Sequence, residues 1–204
     1  MQCKHMDTSI NALQQAHNEV LALFSDIYPV SEELASTIRQ HSRLVFVPRR
    51  TSLLHLGEVC KSVHFIISGA VRTYYIDKEG NETTSWLLFE GDLAISVYSF
   101  FGQRPSFEAM ETLEDCSLLI LTHEKLSALY RQFPEFNYIG RTLTEQYYIR
   151  SEAKANALRK LSAKERYLEL LANRPHIVNR VSLGHIASFL GITSSTLSRI
   201  RASI

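Results

Sequence analysis

The side chains with the clearest chemistry lie in the last 24 residues, where hydroxyl and guanidinium groups follow two short helical patterns around Gly191. Such groups can hydrogen-bond to phosphate oxygens and to base edges. The apolar positions that would pack the two helices across the turn are Ile186, Leu190, Ile192, Leu197 and Ile200. This pattern is typical of a helix-turn-helix, whose second helix enters the DNA major groove, although an ordinary helical hairpin has similar spacing.

The predicted DNA contacts are polar side chains at the start of the first helix and along the second. They are Ser182, Thr193, Ser194, Ser195, Thr196, Ser198, Arg199 and Arg201. Ser182 and Thr193 stand where N-caps belong. Arg199 is placed for a bidentate contact with guanine, whereas the short Ser194 and Ser195 discriminate little between bases. We therefore expect DNA binding with modest sequence selectivity.

The charge distribution supports a basic module attached to an acidic body. The whole chain is nearly neutral, at +1. Residues 150–204 carry ten Lys or Arg against three Glu, a net charge of +7, so residues 1–149 carry −6. A basic segment that coincides with a helix-turn-helix favours phosphate binding, although a solvated helical surface can have the same bias.

Composition excludes several classes of protein. The chain of 204 residues is 45% hydrophobic, and no apolar run approaches the ~20 residues that span a bilayer. The polar N-terminus lacks a signal-peptide pattern. Three separated cysteines, Cys3, Cys60 and Cys116, suit free thiols in a reducing compartment. We expect a cytoplasmic protein that has no membrane partner and requires no cofactor.

Helical patterns flank a central region rich in β-strand signals. Helices are predicted over 9–27, from Ser31 to about residue 40, and over 123–133. Between them, short β-rich runs alternate with glycine-marked turns, and Asp77 to Asn81 forms a hairpin-type loop. The predicted strands are 44–47, 52–56, 63–68, 70–76, 82–89, 93–97 and 116–121. Strands at this spacing favour a sandwich or jelly-roll within an α+β chain.

A long helix is predicted from Pro134 to about Arg159. Its apolar line has the spacing of a coiled-coil seam, which suits a helix that either spans its own domain or pairs with its twin. The residues predicted to dimerise are Phe136, Ile139, Leu143, Tyr147 and Arg150. Ser162 and Glu165 form a capping box that opens the next helix, which Pro175 stops.

The order of these segments resembles the Crp/Fnr family of bacterial transcription regulators. The resemblance covers about residues 20–204 and rests on the glycine-marked segments 57–69 and 90–93, together with 162–167 and 191–199. It implies a cyclic-nucleotide-binding-like β-roll over 1–133, a dimerisation and linker helix over 134–160, and a helix-turn-helix domain over 161–204. It also implies a homodimer in which each recognition helix binds half of a palindrome.

The chain departs from the nucleotide-binding pattern of that family. Where the resemblance implies a glutamate for the ribose and an arginine for the cyclic phosphate, this sequence has Ser96 and Ser106. Glu108 lies near the expected phosphate position, where it would repel an anion, and Arg104 is the nearest cation. Ser96, Val97, Arg104, Ser106 and Glu108 are the candidate pocket. We expect a pocket not built for cyclic AMP, and either another cue or an empty scaffold remains open.

One further departure and the rival metal and cofactor sites complete the prediction. The resemblance implies two wing strands after the recognition helix, and the sequence ends at Ile204, so we expect a helix-turn-helix that lacks this C-terminal wing. A cupin-like metal-dependent enzyme needs clustered ligands, but His55 and His64 are isolated. Three cysteines are too few for an iron–sulfur cluster, and a haem ligand from Cys3 or His5 has little support.

The sequence as a whole predicts a DNA-binding, homodimeric transcription regulator rather than an enzyme. Its expected partners are double-stranded DNA with a near-palindromic site and a second copy of the chain. A contact with RNA polymerase and an unidentified small-molecule effector are left open. The alternatives are the cupin-like enzyme and an interaction protein derived from such a regulator that no longer binds DNA.

Overall fold

The computed structural model describes residues 2–204, with side chains from Ile10 onward. In that part, nine helices surround eight strands. The helices are α1 Gln2–Ile27, α2 Glu32–His41, α3 Val97–Gly102, α4 His123–Gln132, α5 Pro134–Lys160, α6 Ala163–Asn173, α7 Ile177–Arg180, α8 Leu183–Phe189 and α9 Ser194–Ala202. The strands are β1 Arg43–Val47, β2 Ser52–Leu54, β3 Ser62–Ser68, β4 Val71–Ile76, β5 Glu82–Leu88, β6 Leu93–Ala94, β7 Ala109–Thr112 and β8 Cys116–Thr122.

The strands form two four-stranded antiparallel sheets, with orders β1-β8-β3-β6 and β2-β7-β4-β5. A buried cluster that draws on both sheets includes Ile66, Val71, Leu88 and Leu118. Because alternate residues of a strand point to opposite faces, each sheet can bury one face in this cluster and offer the other to helices. The two sheets make a β-roll, which confirms the predicted α+β fold class.

Two further apolar clusters attach the helices to the roll. Phe24 of α1, Leu129 of α4 and Phe136 of α5 pack with Phe65 and Leu119 of the first sheet. On another side, Leu87 and Phe89 join a cluster made mostly by the C-terminal helices, which contribute Tyr167, Ile177, Ile186, Leu190 and Leu197 among others. The helix-turn-helix therefore shares a core with the roll instead of extending from it as a free unit.

Local sequence signals explain several turns of the roll. Gly69 has φ +100°, and a Cβ there would lie 2.6 Å from Cys116 Sγ and 2.7 Å from the Asp115 carbonyl, so only glycine fits. In the hairpin between β4 and β5, Asp77 accepts hydrogen bonds from the backbone of Glu79 and Asn81. The predicted hairpin-type loop is confirmed.

The structure differs from the predicted elements between residues 93 and 112. The strand expected over 93–97 is only β6, Leu93–Ala94, because the chain turns into the short helix α3, where Phe100 N donates to the Ser96 carbonyl at 2.7 Å. Strand β7 was not predicted, since Ala109–Thr112 has no clear alternation of apolar and polar residues. Its four residues are assigned to a strand by pairing with β2 and β4.

The helix caps follow the sequence signals closely. Ser31, Thr122 and Ser162 each accept a backbone hydrogen bond at the start of a helix. The Ser162–Glu165 capping box is present in full, and α5 begins at Pro134 as predicted. Among the described residues, no helix combines the length and the apolar character needed to cross a lipid bilayer.

Candidate nucleic-acid interface and roll pocket

The helix-turn-helix is built from two capped helices and one left-handed glycine. Ser182 Oγ accepts from His185 N at 3.2 Å, and Thr193 Oγ1 accepts from Thr196 N at 3.2 Å. Between the helices, Gly191 has φ +67°. A Cβ at this position would touch Leu158 at 3.4 Å, and the backbone conformation is itself strained for other residues. These features set the angle between α8 and α9.

Helix α9 buries one side and leaves the other free. Leu197 is 1% exposed and packs with Ile186 and Ala187 of α8, while Ile192 and Ile200 are partly buried. The opposite side carries the polar residues Ser194, Ser195, Ser198, Arg199 and Arg201, all exposed. A helix of nine residues with this division presents hydroxyl and guanidinium groups to solvent, as major-groove contact requires.

Seven of the eight predicted contact residues lie on α9 or at its cap, and Ser182 lies at the start of α8. The Thr193 hydroxyl takes part in several local contacts, since it also lies 2.9 Å from the hydroxyls of Ser195 and Thr196. The Arg199 and Arg201 guanidinium groups have no hydrogen-bond or ion-pair partner in the part of the chain that the structure describes. They are therefore the cations on α9 that remain available to an external anion.

More than half of the basic side chains in the predicted basic segment bind groups of this chain. Arg180 pairs with Glu90 at 2.8 Å and with Glu114 at 2.6 Å. These contacts hold the pKa of Glu90 at about 2, well below its usual range, chiefly through the hydrogen bonds from Arg180. Six basic side chains bind groups of this chain, and they are Arg150, Lys154, Lys164, Arg166, Arg174 and Arg180. The interpretation of the whole +7 segment as a phosphate-binding surface therefore needs correction.

Helix α8 is fixed to the roll by polar contacts that the sequence did not indicate. Thr84 N donates to Ser188 Oγ at 2.8 Å. Arg72, only 4% exposed, pairs with Glu82 and with Glu111, and its Nη1 lies 3.1 Å from His185 Nδ1. Burial first and the Arg72 charge second lower the pKa of His185, so a neutral ring accepts from the guanidinium. Nothing in the local sequence distinguishes Arg72 from a surface strand residue.

The candidate roll pocket is closed by its own side chains. Ser96 and Ser106 are buried with hydroxyl oxygens 3.0 Å apart, and Ser106 Oγ donates to the Glu108 carbonyl at 2.7 Å. Val97 begins α3 and is partly buried. Arg104 is exposed on the loop after α3. The structure thus brings the two serines and Glu108 together in the interior, whereas Arg104 is exposed to solvent.

The Glu108 carboxyl is the main electrostatic feature of this pocket. It is 7% exposed, and Ser85 Oγ lies 3.4 Å from its Oε2. Burial raises its pKa, while hydrogen bonds from Ser96, Ser85 and Thr73 and the charge of Lys154 act in the other direction. A cyclic phosphate placed here would meet a carboxyl rather than a guanidinium, which is unfavourable for an anion.

The predicted dimerisation seam is divided between the core of its own chain and the surface. The burial of its first residues in the core of their own chain corrects that part of the prediction, and pairing through the exposed residues stays a prediction. Phe136 and Ile139 are 2% and 0% exposed in the core shared with α1, and Leu143 packs against the same core. The rings of Tyr147 and Trp86 contact each other at a tilt of 41°, with centroids 5.5 Å apart, and Arg150 pairs with Asp92 at 2.8 Å. Both Tyr147 and Arg150 nevertheless remain exposed. An apolar stripe specifies a face that must be covered, but it does not specify by what.

Other sequence-level candidates have modest roles. His64 is a buried strand residue whose Nδ1 lies 3.3 Å from the Ala94 carbonyl, and the exposed His55 lies near Ser52. Among the described residues, no three His, Cys, Asp or Glu side chains are grouped to hold a metal ion. Cys60 and Cys116 are buried thiols whose pKa burial raises. The side chains of Cys3 and His5 lie outside the described ones.

Comparison with known proteins finds one matching family model and a set of more distant relatives. The family model of the cyclic nucleotide-binding domain matches residues 44–133. The Fumarate and nitrate reduction regulatory protein of Escherichia coli strain K12 is 27% identical over 163 residues, which are 76% of this chain and 65% of that protein. The chain therefore spans just under two thirds of the length of the relatives it matches.

Two solved structures share the fold. FixK2 from Bradyrhizobium japonicum superposes with a TM-score of 0.71 at 18% identity, covering 79% of this chain and 83% of that one. A structure from Eubacterium rectale assigned to the crp/fnr family of transcriptional regulators has a TM-score of 0.69 at 17% identity, covering 85% and 83%. The chain therefore contains a region similar to the cyclic nucleotide-binding domain and has the fold of these solved structures, with a β-roll, a long helix and a helix-turn-helix.

Proposed function

We propose that this protein is a transcription regulator that binds double-stranded DNA through α9. The observation that supports this most strongly is the exposed polar side of α9. Its last turn carries two arginines that pair with no acid in the described part of the chain. The name of the Escherichia coli relative describes a regulatory protein and not an enzyme, which supports this function, and we expect no catalytic turnover.

Base recognition is assigned mainly to Arg199. A guanidinium can contact guanine O6 and N7 together, which contributes about 1–3 kcal/mol of discrimination between bases. The hydroxyls of Ser194, Ser195 and Ser198 reach phosphates or single base atoms. Because these residues are short, phosphate contacts should dominate the affinity, and affinity should fall steeply with salt.

The proposed active form is a homodimer acting in the cytoplasm, with the predicted division into roll (1–133), linker helix (134–160) and DNA-binding domain (161–204). Helix α5 offers a surface for pairing that differs from the predicted seam. Its outward side carries Tyr148 and Ile149, both 65% exposed. Pairing there would present two copies of α9 to DNA, and half-sites about one helical turn apart, ~34 Å, would form a near-palindrome.

The test is selection of binding sites from random duplexes, followed by titration of the selected site at two salt concentrations. We expect a near-palindromic site and a marked loss of affinity as salt rises. Arg199→Ala should relax selectivity at one base position of each half-site by about 1–3 kcal/mol. Arg104→Ala removes an exposed arginine from the roll and serves as the matched control.

The proposal fails if no site is enriched and generic duplex is not bound even at low salt. The interaction-protein alternative would then take its place. If a site is selected but Arg199→Ala and Arg104→Ala lower the affinity for it equally, the role assigned to Arg199 is rejected.

A further inference from the structure

A cleft of about 390 Å³ lies between the β-roll, α5 and the DNA-binding helices. We call it the interdomain cleft. Trp86 and Phe89 of the roll form one wall, Phe189 of α8 and Leu170 of α6 form another, and Ala157 of α5 lies between them. Its size and its aromatic walls are typical of sites for small organic molecules. The cleft is separate from the closed cluster of Ser96, Ser106 and Glu108.

The charges around the interdomain cleft are unbalanced. The charged residues that line it are Arg150, Lys154, Arg166, Arg174 and Glu169. Arg150 and Arg174 share one carboxylate, that of Asp92, at 2.8 and 3.1 Å. Arg166 donates only to backbone carbonyls, at 2.6 Å to Leu161 and 3.1 Å to Leu190. Positive charge therefore exceeds negative charge at this position.

Of these cations, Lys154 lies in the aromatic part of the cleft. Its ammonium lies 5.1 Å from the centre of the Trp86 ring and 4.5 Å from that of Phe189, and it donates to the Ser85 carbonyl. Burial lowers the pKa of Lys154 to about 8, despite the opposing charge of Glu108. An anion that entered the cleft would favour the charged form of this lysine.

We propose that the interdomain cleft binds a small organic anion with an aromatic or aliphatic body. The acid group would lie near Lys154, Arg150 and Arg174, where charge-assisted hydrogen bonds are strong. The body would pack on Trp86 and Phe189. Such a ligand contacts the roll, α5 and α8 at once, so it stabilises their docked arrangement. This inference is independent of DNA binding and is tested without DNA.

Trp86 is the single tryptophan of the chain and therefore reports on the cleft by fluorescence. The probes are 8-anilinonaphthalene-1-sulfonate and the uncharged N-phenyl-1-naphthylamine, which has the same aromatic body. We expect the sulfonate to bind once per chain, with energy transfer from Trp86. Lys154→Met should weaken the sulfonate about tenfold and leave the uncharged probe nearly unchanged, because one charge-assisted contact is lost.

Matched variants locate the probe and separate charge from shape. Lys154→Arg should keep sulfonate binding, and Lys160→Met removes an exposed lysine of the same helix as a control. Arg174→Gln is a second charge removal at the rim, where the side chain is 40% exposed, and should also weaken the sulfonate. Ala157→Phe should fill the cleft and abolish binding of both probes.

Trp86 also borders a second cavity, of about 420 Å³, which Leu143 and Thr144 line. Thr144→Phe obstructs that cavity and should leave sulfonate binding intact. The proposal is overturned if Thr144→Phe abolishes binding while Ala157→Phe does not. It is equally overturned if folded Lys154→Met and Arg174→Gln bind the sulfonate with the affinity of the parent protein.

Discussion

At the scale of single residues, Lys154 and Glu108 show burial prevailing over mutual attraction. Each carries a charge opposite to the other, yet the pKa of Lys154 is lowered and that of Glu108 is raised. Both shifts favour the neutral forms, and in both groups burial is the largest cause. Lys154 lines the interdomain cleft, whereas Glu108 belongs to the roll pocket, near the position where the nucleotide-binding pattern would require a cation for a phosphate.

The stability of the protein should rise with pH between about pH 8 and 10.5 through Lys154. Its pKa in the folded chain lies below the ordinary value of 10.5, so the unfolded chain binds more protons across this interval. The free energy of unfolding, measured with urea at both ends of the interval, should increase by about 1–3 kcal/mol more in the parent than in Lys154→Met. Lys160→Met should show the same increase with pH as the parent. An equal increase in the parent and in Lys154→Met would contradict this assignment.

Cyclic AMP should not bind to the roll pocket. Ser96 and Ser106 hydrogen-bond to each other, and Ser106 Oγ also donates to the backbone carbonyl of Glu108. The nearby carboxyl of Glu108 is buried, whereas Arg104 is exposed. Isothermal titration of the parent protein with cyclic AMP should give no binding heat at micromolar ligand. Micromolar affinity would reverse this conclusion, and loss of that affinity in Arg104→Ala would identify Arg104 as the phosphate partner.

At the scale of elements, α5 shows how one periodic stripe permits two structures. The line through Phe136, Ile139, Leu143 and Tyr147 has the spacing of a coiled coil, and it also fits a helix that covers its own domain. The second arrangement holds because Phe24 and Phe65 form an apolar surface against which the stripe packs. The other side of α5 is then left with its own exposed apolar groups.

Two substitutions on α5 should therefore have different effects. Ile149→Asp, on the outward side, should give monomers in analytical ultracentrifugation with little change in the unfolding transition. Leu143→Asp places a charge against the core and should lower the free energy of unfolding by about 2 kcal/mol or more. Monomers from folded Leu143→Asp together with dimers from Ile149→Asp would restore the seam that the sequence predicted.

At the scale of the whole molecule, the acidic body and the basic end neutralise each other. Glu90 and Glu114 bind Arg180, and Asp92 binds Arg150 and Arg174. These contacts surround the apolar cluster that joins the roll to the DNA-binding helices. The same separation of charge that suggested a DNA-binding end also holds that end against its own roll.

The contact between the roll and the DNA-binding helices should stabilise the protein less at acid pH, because Glu90 becomes protonated. Its pKa in the folded chain is about 2 against an ordinary 4.5, so its contribution is present above about pH 4.5 and is lost as pH falls towards 2. Urea unfolding should show Glu90→Gln less stable than the parent at pH 6, with the difference shrinking at pH 3. Glu79→Gln, in the exposed hairpin, is the matched control, and a pH-independent difference for Glu90→Gln would exclude its titration as the cause.

The sequence by itself determined the local structure and the order of the elements. Caps such as Ser162 and Thr193, the turn at Gly191 and the apolar spacing of α5 and α9 involve residues within a few positions of one another, so their signals can be read along the chain. Only the tertiary structure decided what covers each face. Burial of Phe136, the pairing of Arg180 with Glu90 and Glu114, and the insertion of Lys154 beside Trp86 join residues far apart in sequence. Those contacts depend on the shapes and charges that the folded surfaces present to each other, which periodicity along the chain does not specify.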